Sequence, residues 1–241
     1  MSNQYTGITE YYDLWTTSGY YQYQAIAEEI AAAIPKGLDI LELGVGTGLL
    51  VEEYLKLDPN CKFTGVDFTP SLLEIAKQRL GEQAELIQAD AVTMDLNQTF
   101  DIAISNGGVW GILDQGERWQ FGGHVPGLEA NRQGLENLNR HLKEGGLLLL
   151  HLQKPHQNFD QTLAGGVTYS QSLETIEETE EQSVIEKTYF FKKGEELVAS
   201  EKITITCFNP EISKTLLEEA GFVFKTETAG GRFAIYQKKG M

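Results

Sequence analysis

The sequence is poor in positive charge. It has 19 lysine and arginine residues against 35 aspartate and glutamate residues, which gives a formal net charge of −16. A protein that grips the phosphate backbone of nucleic acid needs clustered basic side chains, and here no basic run exceeds the pairs Lys192–Lys193 and Lys238–Lys239. DNA and RNA are therefore disfavoured as partners.

The sequence also has few cysteines and no long apolar run. Its two cysteines, Cys61 and Cys207, are far apart and are interpreted as reduced core thiols of a cytoplasmic protein. The longest apolar run, Leu147–Leu150, is far too short to cross a membrane, and the polar start Met1–Ile8 has no secretory pattern. These absences predict a cytoplasmic protein that does not associate with membranes.

What the sequence does have is a regular alternation of apolar strand-like runs and helical patterns. The strands are predicted at Leu38–Leu43, Phe63–Asp67, Ala84–Ala89, Phe100–Ser105 and Gly146–Leu152. Helical periodicity lies between them, and 241 residues suit one domain. The pattern predicts an α/β fold with a doubly wound, mostly parallel sheet and helices on both faces.

The alternation breaks after the fifth strand. In residues 167–208, the β-rich runs Val184–Phe191 and Val198–Phe208 predict an inserted antiparallel hairpin. Phe222–Thr226 and Phe233–Lys238 then predict a terminal hairpin, which brings the sheet to seven strands. The insertion could cover a substrate pocket or form a dimer contact, and the sequence leaves both open, as it does monomer or homodimer.

A glycine-rich turn follows the first strand, in the run Glu42-Leu-Gly-Val-Gly-Thr-Gly48. Glycines at such a turn let a ligand approach the backbone at the start of the next helix. The spacing of Gly44, Gly46 and Gly48 differs from the Gly-x-Gly-x-x-Gly dinucleotide pattern. The acid Glu42 would repel a pyrophosphate and would suit a cationic ligand.

Further polar residues end the neighbouring strands. Asp67 follows the glycine turn by about 20 residues, the distance at which a carboxylate accepts ribose hydroxyls. Asp90 ends the third strand, and Ser105-Asn106-Gly107 ends the fourth. Because ligands of such sheets bind beyond the carboxyl ends of the strands, all of these residues are expected on one rim.

Together these motifs resemble the class I S-adenosylmethionine-dependent methyltransferases, most closely over residues 38–109 and Leu142–Leu150. The resemblance implies that S-adenosylmethionine is the cofactor and S-adenosylhomocysteine the product. It implies that the methionine portion binds near Glu42, Gly44, Gly46 and Gly48, and that its amino group meets the Ser105–Asn106 end. It assigns the ribose to Asp67 and the adenine to Phe68, Asp90 and the Ala91 backbone N–H.

Differences from the motifs of particular family subgroups narrow the expected class of substrate. The family members that modify DNA amines or protein glutamine carry Asn/Asp-Pro-Pro-Tyr/Phe where this chain has Ser105-Asn-Gly-Gly108. The metal-dependent members carry paired acids after the fifth strand, where this chain has His151-Leu-Gln-Lys-Pro-His156. The resemblance therefore implies a small-molecule substrate and no metal.

Two segments are candidates to close the site. Residues 1–34 are predicted as a helical lid; in similar methyltransferases such a stretch folds over the cofactor, which assigns Tyr11 and Trp15 to cofactor binding and Tyr20 to the substrate pocket. The alternative, weighed equally, is that these rings only pack a helix on the sheet. Residues 109–127 are predicted as a long active-site loop that brings Trp110 and Trp119 to the substrate.

His124 in that loop is the first candidate for a general base, which a hydroxyl acceptor would need and a neutral amine would not. A structural role is the alternative for any lone histidine. His151 is assigned to the substrate pocket.

The resulting hypothesis is methyl transfer to a nitrogen or oxygen atom of a small molecule by a single domain, residues 1–241. An NAD(P)-dependent oxidoreductase, which the glycine spacing disfavours, and a non-catalytic S-adenosylmethionine-binding protein are the alternatives.

Overall fold

Strands and helices alternate through residues 3–114 and 119–240, the part of the chain that the computed structural model describes. The helices are α1 (Thr9–Trp15), α2 (Tyr23–Ala33), α3 (Leu49–Leu57), α4 (Pro70–Leu80), α5 (Leu128–Arg140) and α6 (Pro210–Glu219). The first strands are β1 (Asp39–Leu43), β2 (Lys62–Asp67), β3 (Glu85–Gln88), β4 (Phe100–Ser105), β5 (Trp110–Asp114), β6 (Trp119–Gly123) and β7 (Leu142–Gln153). The later strands are β8 (Phe159–Thr162), β9 (Val167–Glu178), β10 (Gln182–Lys193), β11 (Glu196–Phe208), β12 (Phe222–Glu227) and β13 (Phe233–Lys238).

The core sheet has the order β3-β2-β1-β4-β7-β13-β12. The first five of these strands are parallel, whereas β13 runs antiparallel to both β7 and β12. Leu148, Leu149 and Leu150 of β7 are fully buried, as a central strand covered on both faces requires. The fold class is therefore the predicted mixed α/β sheet.

Helices cover both faces of this sheet. On one face, α5 and α6 bury Leu135, Leu138, Leu216 and Leu217 against the strands. On the other face, α2, α3 and α4 bury Ile30, Leu50 and Leu73. Both layers are bound to the sheet by the burial of apolar side chains, and these five helices lie on its faces and not at the carboxyl ends of the strands.

The insertion is larger than predicted. Strands β8, β9, β10 and β11 form one antiparallel sheet, which we call the cap. The sequence predicts a hairpin close to β10 and β11, but it does not predict β9. The exposed acids of β9 hide its strand pattern, whereas Val167, Tyr169 and Gln171 alternate on its buried face.

The prediction of a long loop over residues 109–127 is wrong in its secondary structure. Residues Trp110–Asp114 and Trp119–Gly123 pair as the antiparallel strands β5 and β6, while residues 115–118 lie outside the described part of the chain. Gly122 and Gly123 also pair with Cys207 and Thr206 of β11, so this hairpin joins the core sheet to the cap. Glycine is depleted in strands, so the Phe-Gly-Gly end of β6 favours the prediction of a loop.

Two further sequence expectations concern cysteines and membranes. Cys61 and Cys207 are both free and buried. Within residues 3–114 and 119–240, none of the helices combines the length and the apolar character needed to cross a bilayer.

Candidate functional site

Three adjoining pockets open beyond the carboxyl ends of β1, β2 and β4. The main cleft, about 270 Å³, is lined by Asp67, Phe68, Leu72, Asp90, Ala91, His124, Val125 and their neighbours. The acid pocket, about 20 Å³, is lined by Tyr23, Glu42, Thr47 and Asn106 among others. The aromatic chamber, about 40 Å³, is lined by residues that include Tyr5, Trp15, Tyr20, Tyr21, Gln153, His156 and Tyr189. Tyr12, Gly107 and Gly108 border all three pockets, so they mark the point where the pockets meet.

The glycine turn between β1 and α3 presents bare backbone to the main cleft and the acid pocket. Gly44, Gly46 and Gly48 have φ of +74°, +55° and +80°, a region that favours glycine. The Gly44 N–H donates to Val66 O at 2.8 Å, which holds the turn against β2. A Cβ on Gly44 would lie 2.8 Å from Gly108 Cα, so no side chain fits there.

Asp67 ends β2 with a buried carboxylate that the backbone holds in place. Its Oδ2 accepts from the Gly46 N–H at 2.9 Å and its Oδ1 from the Thr69 N–H at 2.8 Å. Burial raises the pKa of Asp67, and these hydrogen bonds oppose that rise. Helix α4 begins at Pro70, and the Thr69 hydroxyl makes no capping bond to its first turn.

The acid pocket contains two acceptors that lack partners. Glu42 is only 3% exposed, and no described group bonds its Oε2; the same holds for Asn106 Oδ1. Burial, and then the charge of Asp67, raises the pKa of Glu42 well above its usual value. A buried carboxylate and an amide oxygen in one small pocket fit a positively charged donor such as an ammonium group, which would satisfy both.

The far end of the main cleft suits a planar apolar ring with a polar edge. Phe68 is half-buried in its wall beside buried Leu72 and Ala91. Asp90 is exposed, and its Oδ1 accepts from the Val92 N–H at 2.8 Å. This end therefore offers apolar faces and an available carboxylate oxygen.

Ser105 does not border any of the three pockets. Its hydroxyl is fully buried, donates to Trp110 O at 2.7 Å and accepts from the Trp110 N–H at 3.0 Å. The structure thus separates two neighbours that the resemblance had placed together: Asn106 lines the acid pocket, whereas Ser105 fastens β4 to β5.

The N-terminal segment lies across the meeting point of the pockets. A Cβ on Gly46 would lie 3.2 Å from the Tyr12 hydroxyl. Asp13 accepts from the Thr47 hydroxyl at 2.6 Å and pairs with Arg79, so α1 is tied to the glycine turn.

The rings predicted for cofactor binding point elsewhere. Tyr11 stacks on Phe191 of the cap with centroids 5.2 Å apart and lines none of the three pockets. Trp15 lines the aromatic chamber, not the main cleft, and packs 4.6 Å from Tyr20. Sequence reasoning missed Tyr12, because nothing in the Tyr-Tyr-Asp run tells which ring turns toward the glycines.

Of the four residues predicted for the substrate pocket, two border the aromatic chamber and two lie outside it. Tyr20 lines the chamber; Trp110 also borders it, although its indole donates to Asn131 Oδ1 at 2.8 Å within the core. Trp119 packs edge-on against Phe224 at 5.8 Å, and the His151 ring lies 5.3 Å from Phe233. These last two rings are held outside the chamber by their apolar neighbours.

His124 lies on the border between the main cleft and the chamber. Its ring stacks over Tyr5 with centroids 5.9 Å apart, and its backbone N–H donates to Val109 O at 2.9 Å. Burial, and then the charge of Lys187, lowers the pKa of His124 to about 4. The imidazole is therefore neutral at neutral pH.

Lys187 is a buried residue behind the chamber that sequence reasoning missed. Its Nζ donates to the Tyr20 hydroxyl at 3.0 Å and to His156 Nδ1 at 3.1 Å. Burial lowers the pKa of Lys187 to about 7. The available signal was the inward-facing alternation of Lys187, Tyr189 and Phe191 along β10.

No metal centre is found in residues 3–114 and 119–240, since no three histidine, cysteine or acidic side chains converge there.

Residues 40–146 match a family described as a methyltransferase domain. A malonyl-[acyl-carrier protein] O-methyltransferase of Acetivibrio thermocellus is 39% identical over 70 residues, which are 29% of this chain and 25% of that protein. The Bacillus anthracis enzyme of the same name is 28% identical over 141 residues, 54% of this chain and 46% of its own length. The chain thus spans between a quarter and about half of the length of these relatives.

Solved structures resemble the whole fold. The CcbJ methyltransferase of Streptomyces caelestis has a TM-score of 0.73 at 13% identity and covers 99% of this chain and 100% of its own. Another similar structure is described as an amino pentose methyltransferase of Micromonospora echinaspora with bound S-adenosylmethionine. It has a TM-score of 0.62 at 18% identity, and the match covers 99% of this chain and 100% of that one. Residues 40–146 therefore match a methyltransferase domain, and the fold as a whole resembles that of solved methyltransferase structures.

Proposed function

We propose that this protein transfers the methyl group of S-adenosylmethionine to a nitrogen atom of a small molecule held in the aromatic chamber. The observation that carries the proposal is that no carboxylate lines the described wall of the chamber, while a buried lysine lies behind it. An amine can attack only through a free lone pair. A wall without acids and close to a cation favours the uncharged amine over its ammonium form.

The pockets fit the proposed cofactor. Glu42 Oε2 and Asn106 Oδ1 would receive the α-ammonium group of the methionine portion, which supplies the donor that both atoms lack. Asp67 would accept from the ribose hydroxyls, and Phe68, Asp90 and Ala91 would border the adenine. When bound, S-adenosylmethionine supplies an electrophilic methyl group on a sulfonium, with the sulfur retaining the electron pair of the broken bond.

The contribution of the chain is chiefly to position the reactants and exclude water. Tyr12, Gly107 and Gly108 border every pocket, so the methyl group would cross at these residues. His124 stands beside that point as a neutral ring, and with a pKa of about 4 it is a weak base. We therefore favour for His124 the role of accepting a hydrogen bond from the amine N–H and thereby orienting its lone pair.

The comparisons support nitrogen over oxygen as the acceptor atom. The structure described as an amino pentose methyltransferase is covered over its whole length, including the region of the cap. The relatives named as O-methyltransferases match 29% and 54% of this chain. We further propose that the acceptor is a small molecule and not a nucleic acid, because 35 acidic residues oppose 19 basic ones.

A binding and turnover experiment tests the proposal. Asp67→Asn removes the charge from the proposed ribose acceptor, and S-adenosylhomocysteine affinity measured by calorimetry is expected to fall by about 10- to 100-fold, the usual effect of losing charge-assisted hydrogen bonds. Asp95→Asn is the matched control, since Asp95 also accepts from a backbone N–H, that of Asn97, but outside the main cleft.

Turnover is then measured as S-adenosylhomocysteine formation with small amines and with the alcohols of the same skeleton. Transfer to amines alone is the expected result. Transfer to alcohols or carboxylates alone would show that the acceptor atom is oxygen, and wild-type protein that does not bind S-adenosylhomocysteine would remove the basis of the assignment.

A further inference from the structure

The buried cation of Lys187 has no acidic partner. Its side chain is fully buried, and Nζ lies 5.4 and 4.8 Å from the ring centroids of Tyr20 and Tyr189. Among the described residues, no carboxylate forms an ion pair with it, and its cross-strand neighbours Leu173 and Ile203 are apolar. A buried charge without a counter-ion is costly, so an anion supplied by a ligand would stabilise the site.

One hydrogen-bonded path leads from Lys187 to the chamber through Tyr20. An ammonium group has three donors and no acceptor, so Nζ donates to the Tyr20 oxygen at 3.0 Å. The phenol O–H of Tyr20 is then left to donate to a different partner. Tyr20 lines the chamber, and the structure therefore offers this O–H to a ligand there.

A second path runs through His156 and Gln153. Nζ donates to His156 Nδ1 at 3.1 Å, which assigns the ring proton to Nε2. That Nε2–H lies 3.0 Å from Gln153 Oε1 and donates to it. The Gln153 amide nitrogen is thus free to donate at the chamber wall, 3.1 Å from where a Cβ on Gly107 would lie. Both paths therefore end at the chamber in a hydrogen-bond donor, the Tyr20 O–H on one and the Gln153 amide N–H on the other.

We propose that Lys187 is a positioning residue that acts through Tyr20 and Gln153 to make the chamber select methyl acceptors carrying a carboxylate. This inference rests on the proposed function, because it names the substrate class of the same chamber. A carboxylate only accepts hydrogen bonds, so it matches two outward donors, whereas the NH₂ of a carboxamide would oppose one of them.

The titratable groups around Lys187 are uncharged, so Lys187 is the source of positive charge near the chamber. Burial lowers the pKa of His156 to about 3 and that of His124 to about 4, and both shifts are increased by Lys187 itself. Burial raises the pKa of Tyr20 and Tyr189 well above the usual value. All four groups are neutral at neutral pH, so the ammonium form of Lys187, which predominates below its pKa of about 7, is the charge that a bound anion would meet.

The test compares pairs of amines in which one member carries a carboxylate and the other carries its neutral amide. The probes are glycine with glycinamide, β-alanine with β-alaninamide, and 4-aminobutanoate with its amide, each titrated by calorimetry into the S-adenosylhomocysteine complex. Wild-type protein is expected to bind at least one carboxylate about tenfold or more tightly than its amide, the effect of a charge-assisted hydrogen bond. No preference in any pair would overturn the proposal.

Variants then connect the preference to Lys187. Lys187→Met keeps a long side chain without the charge and is expected to abolish the preference, whereas Lys193→Met, an exposed residue on the same strand, should retain it. A preference that survives in Lys187→Met contradicts the inference. If that variant fails to bind S-adenosylhomocysteine, Tyr20→Phe decides: it removes one outward donor, and an unchanged preference there overturns the inference.

A pH series separates this role from a merely structural one. Because the ammonium loses its proton as pH rises, the affinity for carboxylate probes should fall between pH 7 and pH 9 in the wild type and stay flat in Lys187→Met. A flat wild-type profile would count against the inference. These are binding measurements, so a carboxylate preference without transfer to any amine would overturn the proposed function alone.

Discussion

At the scale of single residues, substitution of His124 distinguishes two possible roles in methyl transfer, general base and neutral hydrogen-bond acceptor. A general base would contribute about 10²- to 10⁴-fold, whereas one neutral hydrogen bond contributes about 2- to 10-fold. Since the pKa of His124 is lowered to about 4, we expect His124→Ala to reduce kcat/KM for an amine acceptor by the smaller factor. Initial rates of S-adenosylhomocysteine formation at saturating cofactor measure this.

The control for that prediction is His124→Asn, whose side-chain oxygen keeps a hydrogen-bond acceptor in place. It should recover part of the activity that the alanine variant loses. A loss above about 10²-fold in His124→Ala, restored at high pH by added imidazole, would instead establish the general base that the sequence suggested.

The sequence predicted the location of site residues whose position is fixed by the backbone. It did not predict the direction of side chains that depends on packing against distant residues. Glu42, Asp67 and Asp90 lie at strand ends, and a strand end fixes where its residue emerges in an α/β sheet. Tyr11 and Trp119, in contrast, could turn toward a pocket or toward neighbouring rings. Their direction depends on Phe191 and Phe224, which are distant in sequence.

At the scale of elements, helix α1 lies across the point where the three pockets meet. Tyr12 on this helix borders all three pockets, and Asp13 ties the helix to Thr47 and Arg79. Asp13→Ala should therefore accelerate S-adenosylhomocysteine release by about 3- to 10-fold, a modest factor because the pair is partly exposed. Stopped-flow dissociation measures the rate.

Glu10→Ala is the matched control, because Glu10 is an exposed acid on the same helix. Its release rate should equal that of the wild type. Equal rates in all three proteins would show that α1 does not retain the ligand.

Element prediction succeeded for the buried strands and failed for strands that carry a conflicting signal. β1, β2, β4 and β13 were predicted to within about a residue or two, because uniform burial demands continuous apolar runs. β9 carries exposed acids, and β6 ends in two glycines that pair with β11. These segments form strands because they pair with neighbouring strands, and not because of their local sequence.

At the scale of the whole molecule, buried neutral histidines make stability depend on pH. Burial lowers the pKa of His124 and His151 to about 4 and that of His156 to about 3. The unfolded chain takes up these protons near pH 6.5 and the folded chain does not, so their contribution is lost as pH falls from about 6.5 to about 4. Glu42 and Asp67, whose pKa values are raised, act in the opposite direction.

His151→Phe isolates one of these groups. Its ring already packs against Phe233, and no described group bonds its buried Nδ1, so phenylalanine should fit and stabilise the fold. We expect the gain in unfolding free energy, from urea denaturation, to grow as pH falls from 6.5 to 4.5. The gain at pH 8 is the reference, and a gain that does not change with pH would contradict the histidine explanation.

The connection of the cap to the core sheet has a consequence for exchange of the cap. Every residue that lines the main cleft and the acid pocket precedes residue 127, whereas Tyr189, Ile205 and Lys187 come from one later, contiguous stretch. Strand β11 meets β6 through only two residue pairs, Thr206 with Gly123 and Cys207 with Gly122. Because the cap is one contiguous stretch, its exchange together with the N-terminal rings that pack on it, such as Tyr11, would change the aromatic chamber and leave the residues of the main cleft and the acid pocket unchanged.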